Sequence, residues 1–305
     1  MSKSICTELM RYSLDLLKTL TEKIIGLKNL INIFLNFWYN KTSKFCEDKM
    51  TKTCFERFCQ FRDKFKNQIE EWKNQLAGEE SKIREVQKSL ATKDGVPEYS
   101  LDNILVYNKA LDDVSENDDI KLIVIGDNPG KAEQLSENQR YLVGQAGKIA
   151  EGFFARNPEL ETDFRKNVII LNKTPFHTAK TKELGAFSKI IKSNYDENLA
   201  TKIDKIIEES QIFMAEETAN LAKDLGLEIW LVGYSELKPK GIFSIYKESL
   251  KSAFEDFAKS KVYVYQHFSM NRFLVDLKES RDSSKSLKEN LVLIGENHRK
   301  EIFGI

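Results

Sequence analysis

The sequence predicts an α/β protein: a three-layer α/β/α sandwich on a short, mostly parallel four-stranded sheet, with an N-terminal α-helical extension. Three observations carry this reading. Four short, nearly continuous apolar runs stand at residues 121–126, 167–172, 228–233 and 261–266, the pattern of strands covered on both faces. Helical patterns separate them around 145–156, 199–225 and 243–259, and alternating strands and helices imply βαβ crossovers. Residues 1–92 hold no proline, and Gly26 and Gly78 are their only glycines.

In that first segment the apolar residues recur at helical spacing: Leu9, Tyr12, Leu16, Leu17, Leu20 and Ile24, then Phe55, Phe58, Phe61 and Phe65. Two to four amphipathic helices are expected, with the aromatic stripe as core. They form a bundle, cover the next domain or dock a protein partner. The apolar run 24–40 is broken by Lys28, Asn29 and Asn32 and is shorter than the ~20 apolar residues that span a bilayer, so no membrane is expected. The start does not read as a signal peptide. Met50 precedes a fresh helical run, so Met1 and Met50 are alternative starts. KDGVPEYS (93–100) is the first clear break and divides a helical extension (1–95) from an α/β domain (96–305). The acidic connection 109–119 leads into the first strand.

The chain has 305 residues, 47 basic and 47 acidic, for a formal net charge of zero. No overall field favours a polyanion, although a local basic groove needs only a few cations. The four cysteines (Cys6, Cys46, Cys54 and Cys59) lie in the first fifth of the chain without CxxC spacing. That argues against a disulfide framework and against a zinc or iron–sulfur site, and suits reduced thiols in a cytoplasmic protein. No metal and no cofactor are expected. GxGxxG is absent. The phosphate-loop pattern fails too, because three residues separate Gly126 from Gly130 and Ala132 follows Lys131. No GxSxG elbow supports a serine hydrolase.

Ligands of parallel sheets sit beyond the carboxyl ends of the strands. There the sequence places GDNPG (126–130) after strand one and Asn172-Lys173-Thr174-Pro175 at the end of strand two. Gln266-His267-Phe268-Ser269 closes strand four. Strand three ends in the blander Gly233-Tyr234-Ser235. An acid, two carboxamides and a histidine are thus expected on one rim. Each also has a plain structural use, as a helix cap, an Asx-turn or a hydrogen-bonded core histidine.

These segments resemble motifs of the uracil-DNA glycosylase superfamily. GDNPG is similar to its first motif, Gly-x-(Asn/Asp)-Pro-(Gly/Tyr). RYLVGQAG (140–147) resembles the R-P-F-V-G-x-A-G stretch of the iron–sulfur branch. VIILN (168–172) resembles the strand whose last Asn reads the flipped base, and QHFS (266–269) resembles the closing H-P-S motif. The motifs come in the family order, and the resemblance covers roughly residues 96–305. It implies a monofunctional DNA glycosylase that flips out and hydrolyses uracil or a related deaminated or mismatched base. The alternative is a non-catalytic relative that binds a nucleobase or nucleic acid.

By the same resemblance, Asn128 positions the attacking water and Asp127 lies where groups approach the base. Pro129 and Gly130 complete that motif; Gly130 stands where the uracil-specific branch has a bulky Tyr and the mismatch-specific branch a Gly. Asn172 reads the base, and His267, with Ser269 beside it, steadies charge on the departing base. The stacking aromatic falls at Tyr141 by spacing, or at Leu142 by alignment on V-G-x-A-G. The wedge that fills the gap in the DNA stack falls at Asn271, with Met270 and Phe273 as neighbours able to serve. Lys173, with Lys131, Lys148, Lys180 and Lys182, is expected near phosphates. The cysteines that hold the cluster of the iron–sulfur branch are missing, so no cluster is implied.

Overall fold

A computed structural model describes residues 50–305. The expectations for Cys6, Cys46 and the helices before Met50 lie outside these residues. The four apolar runs form strands β1 (Leu122–Gly126), β2 (Val168–Asn172), β3 (Glu228–Val232) and β4 (Val262–Tyr265). They pair in parallel in the order β2-β1-β3-β4. Successive strand residues point to opposite faces. Ile123, Ile125, Ile169, Leu171, Ile229 and Leu231 enter one core, while Leu122, Val124, Val168, Ile170 and Trp230 enter the other. Two buried faces need two helical layers, which is why no strand alternates apolar with polar.

The first face is covered by α1 (Lys52–Gln75), α2 (Glu80–Lys93), α4 (Leu184–Asn194), α5 (Glu197–Leu225) and α6 (Ser244–Ser252). The Thr51 hydroxyl accepts from the Cys54 N–H at 3.2 Å and starts α1. Phe58, Phe61, Phe65, Ile69 and Trp72 form its buried stripe, so the aromatic run is core. Asp196 caps the 29-residue α5, which ends at Gly226. The second face is covered by α3 (Gln145–Arg156), α7 (Arg272–Ser280) and α8 (Leu287–Phe303). Ser286 and Glu289 close a capping box at the start of α8, satisfying two orphan amides reciprocally.

Helices α1 and α2 share the core cluster of the sheet, and the described residues 50–305 lie in one compact unit. The segment after α2 is tied to the strand ends. The buried Gln134 side chain accepts from the Asp102 N–H at 2.7 Å and donates to the Ser100 carbonyl at 2.6 Å. No helix among the described residues is long and apolar enough to cross a membrane.

Candidate functional site

The strand order reverses direction at β1, so the crevice between the carboxyl ends of β1 and β3 is the place for a ligand. The protein fills the floor of that crevice itself. Lys173, directly after β2, is fully buried, and its Nζ donates to the Asp127 carboxylate at 2.5 Å, to the Val232 carbonyl at 2.6 Å and to the Gly126 carbonyl at 3.3 Å. The ammonium also lies 4.9 Å from the centre of the Phe243 ring. Burial lowers its pKa, and the Asp127 charge and hydrogen bond oppose that shift. Lys173 therefore cannot meet DNA phosphate, contrary to the sequence expectation. Gly233, at the supposedly bland end of β3, makes the ion pair possible: a Cβ there would stand 2.2 Å from Asp127 Oδ1, and its φ of +98° suits glycine.

His267, after β4, stands near this pair. Its Nδ1 accepts from the Ser269 N–H at 3.0 Å and lies 2.7 Å from the Ser269 hydroxyl. A ring nitrogen that accepts is unprotonated, so the neutral imidazole carries its hydrogen on Nε2. No described residue takes that hydrogen. Packing around the ring lowers its pKa, against the pull of Asp127, which keeps the neutral tautomer at physiological pH. Beyond Ser269, Met270 and Asn271 both adopt left-handed backbone, with φ of 54° and 56°. Such turns cost non-glycine residues about 1–3 kcal/mol each, and this one leaves Met270 73% exposed. Phe273 is buried among Phe153, Tyr265 and Phe268 and cannot act as a wedge.

On the β2 side, Asn128 is committed. Its Nδ2 donates to the Phe176 carbonyl at 3.2 Å and the Thr178 hydroxyl at 2.9 Å. Asn172 is 1% exposed, and its buried Nδ2 makes no well-formed hydrogen bond, the Glu133 carboxylate being the acceptor it acts on. Beside it lies Glu133, which the sequence reading did not single out. Burial pushes the Glu133 carboxyl up to about 7, although the backbone N–H groups of Gly130 and Leu142 and the nearby Asn172 amide favour its charged form. Gly130 has open space on its side-chain side, the nearest atom being Glu133 Oε1 at 4.0 Å. The Pro129 carbonyl accepts from His177 Nδ1 at 2.7 Å, and His177 Nε2 takes the Tyr99 hydroxyl at 3.0 Å. Burial lowers His177 to about 4, so it is a neutral strut.

Tyr141 does not face the rim. It is 1% exposed, and its hydroxyl is fixed on the Val106 carbonyl at 2.6 Å, so it cannot stack on a base. Leu142 is buried with φ of 52°, its carbonyl held by Arg165 at 2.7 Å. Gly147 sits so close that a Cβ would fall 1.3 Å from the Leu142 oxygen. Gly147→Ala is expected to destabilise the protein by at least about 2 kcal/mol in chemical denaturation, since neither backbone can yield. Among the expected phosphate contacts, Lys180 and Lys182 hold Asp94, Lys131 lies 5.8 Å from the Tyr99 ring centre, and Lys148 is exposed.

Glu133 and His177 set opposite pH slopes. Glu133 keeps its proton to about pH 7 when folded but loses it near 4.5 when unfolded, so its contribution to stability falls as pH rises through that interval. His177 takes a proton at 6.5 when unfolded and at about 4 when folded, so its contribution rises with pH over nearly the same range. Glu133→Gln removes the first slope. The variant is expected to gain about 3 kcal/mol relative to the parent between pH 4 and pH 8, read from urea midpoints. A constant offset across that range would show that Glu133 titrates normally.

No family model, curated protein or solved structure matches this chain. The functional reading therefore stands on the rim and its motifs.

Proposed function

We propose that the chain is a glycosylase-like protein that takes an extruded deaminated or mismatched DNA base at the carboxyl rim of its sheet and hydrolyses its N-glycosidic bond. The observation that supports this most is the neutral His267, whose Nε2–H is left without an acceptor near a carboxylate fixed by a buried ammonium. The chemistry needs those two groups. Water adds to the anomeric carbon, the carbon–nitrogen bond breaks, and its electron pair leaves with the base. A donor aimed at the developing anion stabilises it by about 3–4 kcal/mol. His267 fills that role, and the Asn172 amide, which makes no well-formed hydrogen bond beside Glu133, would turn to a carbonyl of the base.

Water positioning moves from Asn128 to Asp127 in this reading. The Asn128 amide nitrogen is spent on the loop after β2, whereas Asp127 has one oxygen on Lys173 and, among the described residues, no donor on the other. The second oxygen can orient the water and accept its proton. Met270, exposed on its strained turn, is the wedge that enters the base stack.

A second reading is favoured by the burial of Asn172: a binding protein of the same architecture without catalysis, in which the rim opens only to hold a base. One assay separates the two. The full chain, in excess, is incubated with single- and double-stranded oligonucleotides carrying uracil, hypoxanthine or xanthine. Abasic product from any of them is expected. Saturable binding with no product from all three selects the second reading, and neither binding nor product ends both.

A further inference from the structure

A second feature lies between the C-terminal end of α3 and the α7–α8 connection. There a groove of about 540 Å³ is lined by Phe153, Leu274, Leu277 and Leu287. The three leucines are only partly covered by the core they lean on. Around them stand Arg156, Lys278, Arg281 and Lys285, all exposed. Asp282 is the only carboxylate among the described residues that line the groove. It is occupied by the Ser284 N–H at 2.9 Å and the Ser284 hydroxyl at 2.7 Å, with Lys285 3.9 Å away. Among the described residues Arg156, Lys278 and Arg281 form no ion pair.

Four cations around one apolar trough, in a chain of zero net charge, are a local concentration rather than a general basicity. The polar floor asks for nothing. Asn290 is buried, the two hydrogens of its Nδ2 are shared among the Asp282, Lys285 and Ser286 carbonyls, and its Oδ1 accepts from the Asp282 N–H. What the groove lacks is apolar cover and negative charge together. The geometry points to a docking site for an acidic amphipathic helix of a protein partner, its apolar residues in the trough and its carboxylates on the four cations. The nine residues of α7 give a wall of about 13 Å, long enough for about two turns of such a helix. Phosphodiester chains satisfy the cations but bring nothing for the leucines.

The test uses the full chain and a fluorescein-labelled model helix of about 15 residues, leucine at i, i+3, i+4 and i+7 and glutamate elsewhere. Saturable anisotropy is expected, with no binding of the same helix carrying lysine in place of glutamate. The double charge reversal K278E/R281E alters only exposed side chains and should weaken binding by about tenfold. The inference is overturned by absence of saturable binding or by equal affinity in the reversed variant. It is equally overturned if a single-stranded oligonucleotide or a phosphatidylserine vesicle displaces the peptide, since the groove is then a general anion surface. The groove shares no lining residue with the rim, so peptide binding and base excision are read in separate assays.

Discussion

Replacing Lys173 with methionine is expected to destabilise the protein by about 3–5 kcal/mol, the usual penalty for stranding one partner of a buried ion pair. Methionine fits the tunnel that the lysine stem occupies beside Phe243, so lost packing is a small part of the effect. What changes is that the Asp127 carboxylate, 8% exposed, loses its ammonium partner, and the Val232 carbonyl loses its donor at 2.6 Å. Adding Asp127→Asn to the variant should recover part of the loss, because the stranded charge is then gone. Urea midpoints for the four proteins of this cycle measure the coupling. A loss below about 1 kcal/mol for the single variant would show that the ammonium is not what holds the carboxylate.

His267→Ala is expected to lower single-turnover excision by about 10²–10³-fold, the effect of removing one donor to a developing oxyanion. The fold should survive, because the ring's nitrogens bond only to neighbouring Ser269. His267→Asn, which keeps an amide donor, should restore part of the rate. A pH profile adds a readout that mere support of the loop cannot produce. The active form is the neutral ring, whose pKa lies below the ordinary value, so the acid limb of the rate profile should lie below that of a free imidazole. An unchanged rate in His267→Ala removes the imidazole from the mechanism.

The sheet was legible because its strands are buried on both faces, which writes them as unbroken apolar runs such as LIVI and VIIL. The long α5 was legible from its helical pattern over 199–225, within two residues of its observed start and at its observed end. The interior polar groups were not. A lysine following a strand reads as surface, because lysine is seldom buried. Its burial here depends on Asp127 and Gly233, 46 residues before and 60 after it, and spacing along the chain does not reveal such a meeting. Glu133 and His177 were hidden likewise in short irregular stretches without periodicity. Tyr141 was misassigned because spacing from Asn128 does not reveal that its ring enters the core together with Leu142.

The strut from Tyr99 through His177 to the Pro129 carbonyl, with Gln87 Nε2 on the His177 carbonyl at 2.7 Å, decides where this gene can be cut. A truncated chain beginning at residue 96 keeps every strand and every residue of the rim, yet it uncovers the aromatic cover beneath α1 and removes the anchor of the His177 backbone. Such a fragment should be recovered as an aggregate, whereas one beginning at Met50 keeps both supports.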